Sequence, residues 1–144
     1  MTNTPDKIVY TARASVSGGR KDGRVASEDG VLDLSLTAPK EMGGPGTGTN
    51  PEQLFAAGYG ACFNGALQAV AQKDGVDASG ATLQIEIGFG PDDTSYALTA
   101  DLTVTIPGVD GETAQSLVEK AHAFCPYSRA ISGNVPTTVT GIAG

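Results

Sequence analysis

Apolar residues alternate with polar ones, or cluster as β-branched runs, in two early segments, IVYTARASV (8–16) and VLDLSL (31–36). Gly18-Gly19 and Asp29-Gly30 punctuate them, and period-two alternation between such turn residues predicts strands. A short third strand is expected between them, over Arg24 to Ser27. Thr37 to Asn50, TAPKEMGGPGTGTN, has no apolar period and predicts a surface connection that can move. A helix starts next: Asn50 can cap it, Pro51 suits its first position, Glu52 favours the positive end of its dipole, and Gln53 completes a capping box. Along that helix Phe55, Tyr59, Phe63, Ala66 and Val70 make a bulky stripe. Gly58, Ala61, Cys62, Gly65 and Ala69 make a stripe of small residues that would let another helix come close.

Beyond the turn at Asp74-Gly75, ATLQIEIGF (81–89) and SYALTADLTVTI (95–106) alternate on either side of Gly90-Pro91-Asp92-Asp93, which predicts a long hairpin. Leu98, Ala100, Leu102, Val104 and Ile106 would form its buried face. A second helix is expected over Gly111 to Phe124, capped by Asp110, with Leu117, Val118, Ala121 and Phe124 inward and Pro126 past its end. A final strand over Val135 to Ile142 closes the chain. The order βββ-α-ββ-α-β is an α+β pattern with antiparallel pairs. At 144 residues it suits one domain, 1–144, with one core.

Composition narrows the function. Sixteen acidic against nine basic residues give a formal charge of −7, which repels nucleic acid and anionic lipid headgroups. Nucleic-acid and membrane partners are thereby disfavoured. Gln53 to Gln72 is uncharged and of spanning length, yet its Asn64, Gln68 and three glycines suit a buried helix better. MTNTPDKIVY lacks the features of a secretory signal, so a cytoplasmic location is expected. Thiols stay reduced there, and two cysteines 63 positions apart form no CxxC motif. They are catalytic, redox-sensing or inert rather than a permanent staple. The Gly-rich 37–50 segment has neither a Gly-Lys-Ser/Thr ending nor GxGxxG, which argues against a nucleotide cofactor.

Cys62 lies on the uncharged helix, where a thiol can be a small buried hydrophobe. Reactivity requires the thiolate: at the ordinary pKa of about 8.5 only a few per cent of a thiol is ionised at pH 7, whereas a pKa of about 6 makes about nine-tenths of it thiolate. A cation is therefore needed. Arg13, Arg20, Arg24, Arg129 and five lysines are available, and sequence distance does not choose among them. Arg20 follows the flexible Gly18-Gly19 turn. Cys125 precedes Pro126, where the chain must leave helical geometry, a setting that suits a mobile thiol. His122 lies three residues before it on the same helical face. With no other histidine, a closed metal site is not expected, and an acyl-transfer Cys–His pair ranks below redox chemistry.

Three segments, SGGRKDGR (17–24), TNPEQLFAAGYGACF (49–63) and AHAFCPYSRA (121–130), together resemble the organic hydroperoxide resistance (Ohr) branch of the OsmC family. That resemblance implies Cys62 as peroxidatic cysteine, Cys125 as resolving cysteine, Arg20 as activating arginine and Glu52 as its supporting carboxylate. It further implies an intertwined homodimer with antiparallel sheets around two central helices. Its substrates would be alkyl and fatty-acid hydroperoxides. Its reductant would be a dithiol such as dihydrolipoamide or a lipoylated protein, without a bound cofactor.

On a straight helix Glu52 and Cys62 would stand about 15 Å apart and about 80° out of phase, too far for one arginine. A break at Gly58-Tyr59-Gly60 is therefore expected, with Cys62 opening a second helix whose dipole would lower its pKa. Two other readings compete. A non-enzymatic redox sensor or ligand-binding dimer would use the same disulfide once, and a Cys–His hydrolase would act on esters.

Overall fold

The computed structural model describes residues 2–144. Contacts divide the chain into one unit ending at Leu54 and a second, Phe55–Gly144.

The first unit holds an antiparallel meander of β1 (Ala14–Ser17), β2 (Gly23–Ser27) and β3 (Asp33–Leu36). Val16 pairs with Val25, and Val25 with Leu34. The first strand is shorter than the apolar pattern of 8–16 predicts. Residues 8–13 lie outside the strand, with the Arg13 carbonyl accepting from Glu28 N–H at 2.9 Å, and Ile8, Val9 and Tyr10 are exposed. At the β1–β2 turn, Gly18 adopts a φ of +65°, and a Cβ there would meet the Asp22 carbonyl. The 37–50 segment is tied back on itself: Thr37 N–H donates to the Thr49 carbonyl at 3.0 Å, and Thr49 N–H to the Ser35 carbonyl at 2.9 Å.

The long helix α1 runs Pro51–Lys73, so its first turn falls in the first unit. Asn50 caps it as expected, its side-chain oxygen accepting from Gln53 N–H at 2.9 Å. The Gln53 side chain accepts instead from the Thr49 hydroxyl. No helix among the described residues is long and apolar enough to cross a membrane.

In the second unit, β4 (Thr82–Pro91), β5 (Tyr96–Ile106) and β6 (Thr137–Ala143) form one sheet. The β4–β5 hairpin is antiparallel, and Ala100, Leu102, Val104 and Ile106 of β5 are buried. They meet Tyr59, Phe63 and Leu67 of α1 and Leu117, Val118 and Ala121 of α2 (Gly111–Phe124) in one core. Asp110 caps α2 through Thr113 N–H at 2.7 Å.

Three expectations of the fold need correction. The last strand pairs parallel with β5, not antiparallel, because the chain leaves β5 and returns through two helices. Such a crossover brings it back in the same direction. The second of those helices is α3 (Pro126–Ile131), where only a stop after Pro126 was expected; Pro126 instead occupies its first turn. Phe124, assigned to the inward face of α2, is 49% exposed and lies beneath the Lys73 ammonium.

Candidate functional site: a facing thiol pair at a helix corner

The break at Gly58-Tyr59-Gly60 is absent, and α1 continues through it. Those glycines provide room rather than flexibility. A Cβ on Gly60 would lie 3.3 Å from Leu83 and 3.4 Å from Ile85 of β4, and one on Gly58 would lie 3.3 Å from the Tyr127 hydroxyl. Cys62 accordingly sits mid-helix and does not open a new one.

The Cys62 and Cys125 sulfurs face each other at 3.7 Å, both as free thiols. Cys62 is half-buried and Cys125 fully buried. Cys125 stands where α2 ends and α3 begins, with extended backbone (φ −63°, ψ 125°). Its N–H donates to the Ala121 carbonyl of α2 at 2.8 Å, and its carbonyl accepts from Arg129 N–H of α3 at 2.9 Å. The corner is thus pinned on both sides.

Burial pushes the Cys62 thiol above its ordinary pKa, and the neighbouring Cys125 adds to the rise. The backbone N–H of Tyr127, which hydrogen-bonds the Cys62 sulfur, works in the opposite direction. Burial is the larger effect, so the groups around Cys62 in its own unit favour the thiol over the thiolate.

Arg20 and Glu52 also meet. One guanidinium nitrogen of Arg20, in the β1–β2 turn, lies 2.8 Å from Glu52 Oε1 and 2.9 Å from Oε2. One nitrogen thus reaches both oxygens of the carboxylate in this charge-assisted pair. The four residues singled out from the sequence fall into two pairs, Arg20 with Glu52 in the first unit and Cys62 with Cys125 in the second.

Near the thiols, Ser128 and its bonds to Tyr59 and His122 were not expected from the sequence, where His122 was weighed only as a metal ligand or acyl-transfer partner. The Tyr59 hydroxyl lies 2.7 Å from Ser128 Oγ, which lies 2.9 Å from His122 Nδ1. Tyr59 had been read only as part of an apolar stripe, and burial raises its pKa despite the Ser128 bond, which holds it as a neutral phenol. Ser128 is 1% exposed. The one legible signal was the spacing of His122, Cys125 and Ser128 at successive intervals of three, of which only the first was used. His122 bonds a serine, and among the described residues no three His, Cys, Asp or Glu side chains gather as metal ligands. Rings of Phe55, Tyr59 and Tyr127 stack beside this network, with centroids 5.7 to 6.4 Å apart.

A facing dithiol on this α+β frame defines a class. The family model described as OsmC-like protein matches residues 44–140. The organic hydroperoxide resistance protein of Xanthomonas axonopodis pv. citri is 46% identical over 139 residues, covering 95% of this chain and 97% of that protein. OhrB of Bacillus subtilis is 44% identical over 128 residues, covering 88% and 93%. Among solved structures, an organic hydroperoxide resistance protein from Legionella pneumophila superposes with a TM-score of 0.87 at 40% identity, covering 96% of this chain and 99% of that one. The chain belongs to the OsmC-like family. Within that family it falls in the organic hydroperoxide resistance branch.

Proposed function

We propose that this chain, 1–144 acting as one Ohr-like domain, is a cysteine-based peroxidase that reduces alkyl and fatty-acid hydroperoxides to alcohols. The observation that carries the reading is the 3.7 Å approach of Cys62 to Cys125. The Cys62 thiolate attacks the distal peroxide oxygen; the O–O bond breaks, the alkoxide leaves and takes a proton, and Cys62 becomes a sulfenic acid. Cys125 then attacks that sulfur, an S–S bond replaces the S–O bond, and water departs with the Cys125 proton. A disulfide needs its sulfurs at about 2.05 Å, so the pair must close by about 1.7 Å, within reach of side-chain rotation and a small shift of the corner. A small dithiol, dihydrolipoamide or a lipoylated protein, returns both thiols. The setting is the reducing cytoplasm.

Arg20 stabilises the thiolate and polarises the O–O bond, and Glu52 orients Arg20. Two facts support a homodimer in this role. Cys62 is raised by burial and needs a cation. Glu52 and Cys62 stand ten residues apart on one unbroken helix, about 15 Å along its axis. On this reading the cation for each Cys62 is Arg20 of a second copy, held by that copy's own Glu52.

The test mixes reduced protein with cumene hydroperoxide or hydrogen peroxide and follows consumption with dihydrolipoamide in excess. Multi-turnover loss of the organic peroxide, abolished in Cys62→Ser, is the expected result. One oxidation event without turnover under any dithiol would favour a sensor or binding dimer instead.

A further inference from the structure

Tyr59 and Cys62 are three residues apart on α1, a spacing that puts them on neighbouring parts of one helix surface. Each reaches a side chain of the α2–α3 corner: Cys62 faces Cys125 at 3.7 Å, and the Tyr59 hydroxyl lies 2.7 Å from Ser128 Oγ. Ser128 also reaches His122 of α2 at 2.9 Å. One buried hydroxyl thus joins the helix that carries Cys62, the helix that ends at Cys125 and the helix that begins after it. Tyr127 adds a backbone N–H bond to the Cys62 sulfur and a ring stacked on Phe55 and Tyr59, whereas the other corner bonds are backbone bonds within α2 or α3.

We propose that Ser128, held between Tyr59 and His122, is the positioning residue for Cys125. By holding the corner to α1 it keeps the Cys125 sulfur in line with Cys62 and raises the effective concentration of one thiol at the other. Loss of the hydroxyl would leave the buried Tyr59 hydroxyl and the half-buried His122 ring without this partner and let the corner drift from α1. The pair would then gain less on closing to a disulfide. Tyr59→Phe removes the same bond from the opposite end and keeps the ring packing.

The proposal rests on the reading of Cys62 and Cys125 as a reacting pair, but it needs no peroxide. The full-length protein is equilibrated in buffers of reduced and oxidised dithiothreitol. There two electrons and two protons pass from the cysteine pair to the cyclic disulfide as the protein disulfide forms, and the fraction oxidised is read by mass after alkylation. In Ser128→Ala the equilibrium is expected to move about tenfold toward the dithiol, a potential about 30 mV less negative. Tyr59→Phe should move it the same way, and decides the matter alone if Ser128→Ala does not fold. Gln115→Ala, which removes a link from α2 to Gly141 of β6, should leave it in place. Equilibria of both corner variants within twofold of the unaltered protein would overturn the proposal, as would an equal shift in Gln115→Ala. An unaltered protein that forms the disulfide here yet consumes no hydroperoxide would refute the peroxidase reading while leaving this test intact.

Discussion

Cys62 and Cys125 lie 63 positions apart in the chain, yet their sulfurs face each other at 3.7 Å across the junction of three helices. One is carried mid-way along α1 and the other at a helix corner, so oxidising the pair links two separate elements. In Cys125→Ser, Cys62 should still consume one equivalent of organic hydroperoxide and then halt as a sulfenic acid. Intact-mass measurement should find one added oxygen, trapped by a cyclic dione, in place of the loss of two hydrogens that marks the disulfide.

Complementation tests the second copy's contribution of Arg20. Arg20→Met alone should lose about 10²-fold in kcat/KM, the scale of removing one preorganised charge-stabilising group. Cys62→Ser alone should be inactive. Co-expressed, the two variants should form mixed dimers that bring the intact Arg20 of one copy to the intact Cys62 of the other, so activity should reappear. Activity no higher than that of Arg20→Met by itself would mean that each chain supplies its own arginine.

The acidity of Cys62 gives a pH signature. Burial raises its pKa, so without a cation less of it is thiolate at neutral pH than in a free cysteine, and alkylation should rise only at pH values above the ordinary thiol range. Arg20→Met should therefore show an iodoacetamide rate that climbs late, above about pH 8.5. The unaltered protein should show the climb at lower pH.

The helix cap offers a stability test away from the thiols. Asn50 is buried and its side chain accepts from Gln53 N–H at 2.9 Å, so Asn50→Ala should cost about 1 kcal/mol of unfolding free energy, seen as a lower denaturant midpoint with an unchanged slope.

Much of this architecture was legible because it depends on local patterns. Asn50 and Asp110 announce their helices by capping chemistry, and the alternation of Ala100, Leu102, Val104 and Ile106 marks a buried strand face. What escaped depends on the return path of the chain. The parallel pairing of β6 follows from a crossover through α3, and six residues from Pro126 to Ile131 carry too little periodicity to reveal a helix. The 8–13 run alternates like a strand but is not one, with only the Arg13 carbonyl at its end accepting from Glu28 N–H. Gly58 and Gly60 read as helix breakers because propensity counts only the backbone, whereas their role is to admit Tyr127, Leu83 and Ile85. The thiol pair and the Arg20–Glu52 pair were reached through a resemblance, since neither spacing nor charge could have joined residues 63 or 32 positions apart. The Tyr59–Ser128 bond, 69 positions apart, was beyond reach for the same reason, whereas the His122–Ser128 end was foreshadowed by spacing.

The most direct measurement of the central claim is steady-state consumption of cumene hydroperoxide by the reduced protein with dihydrolipoamide in excess, beside Cys62→Ser. Many equivalents of peroxide consumed per protein, falling to the background rate in Cys62→Ser, is the predicted result. Consumption that stops at one equivalent whatever dithiol is supplied, or that continues undiminished in Cys62→Ser, would contradict it.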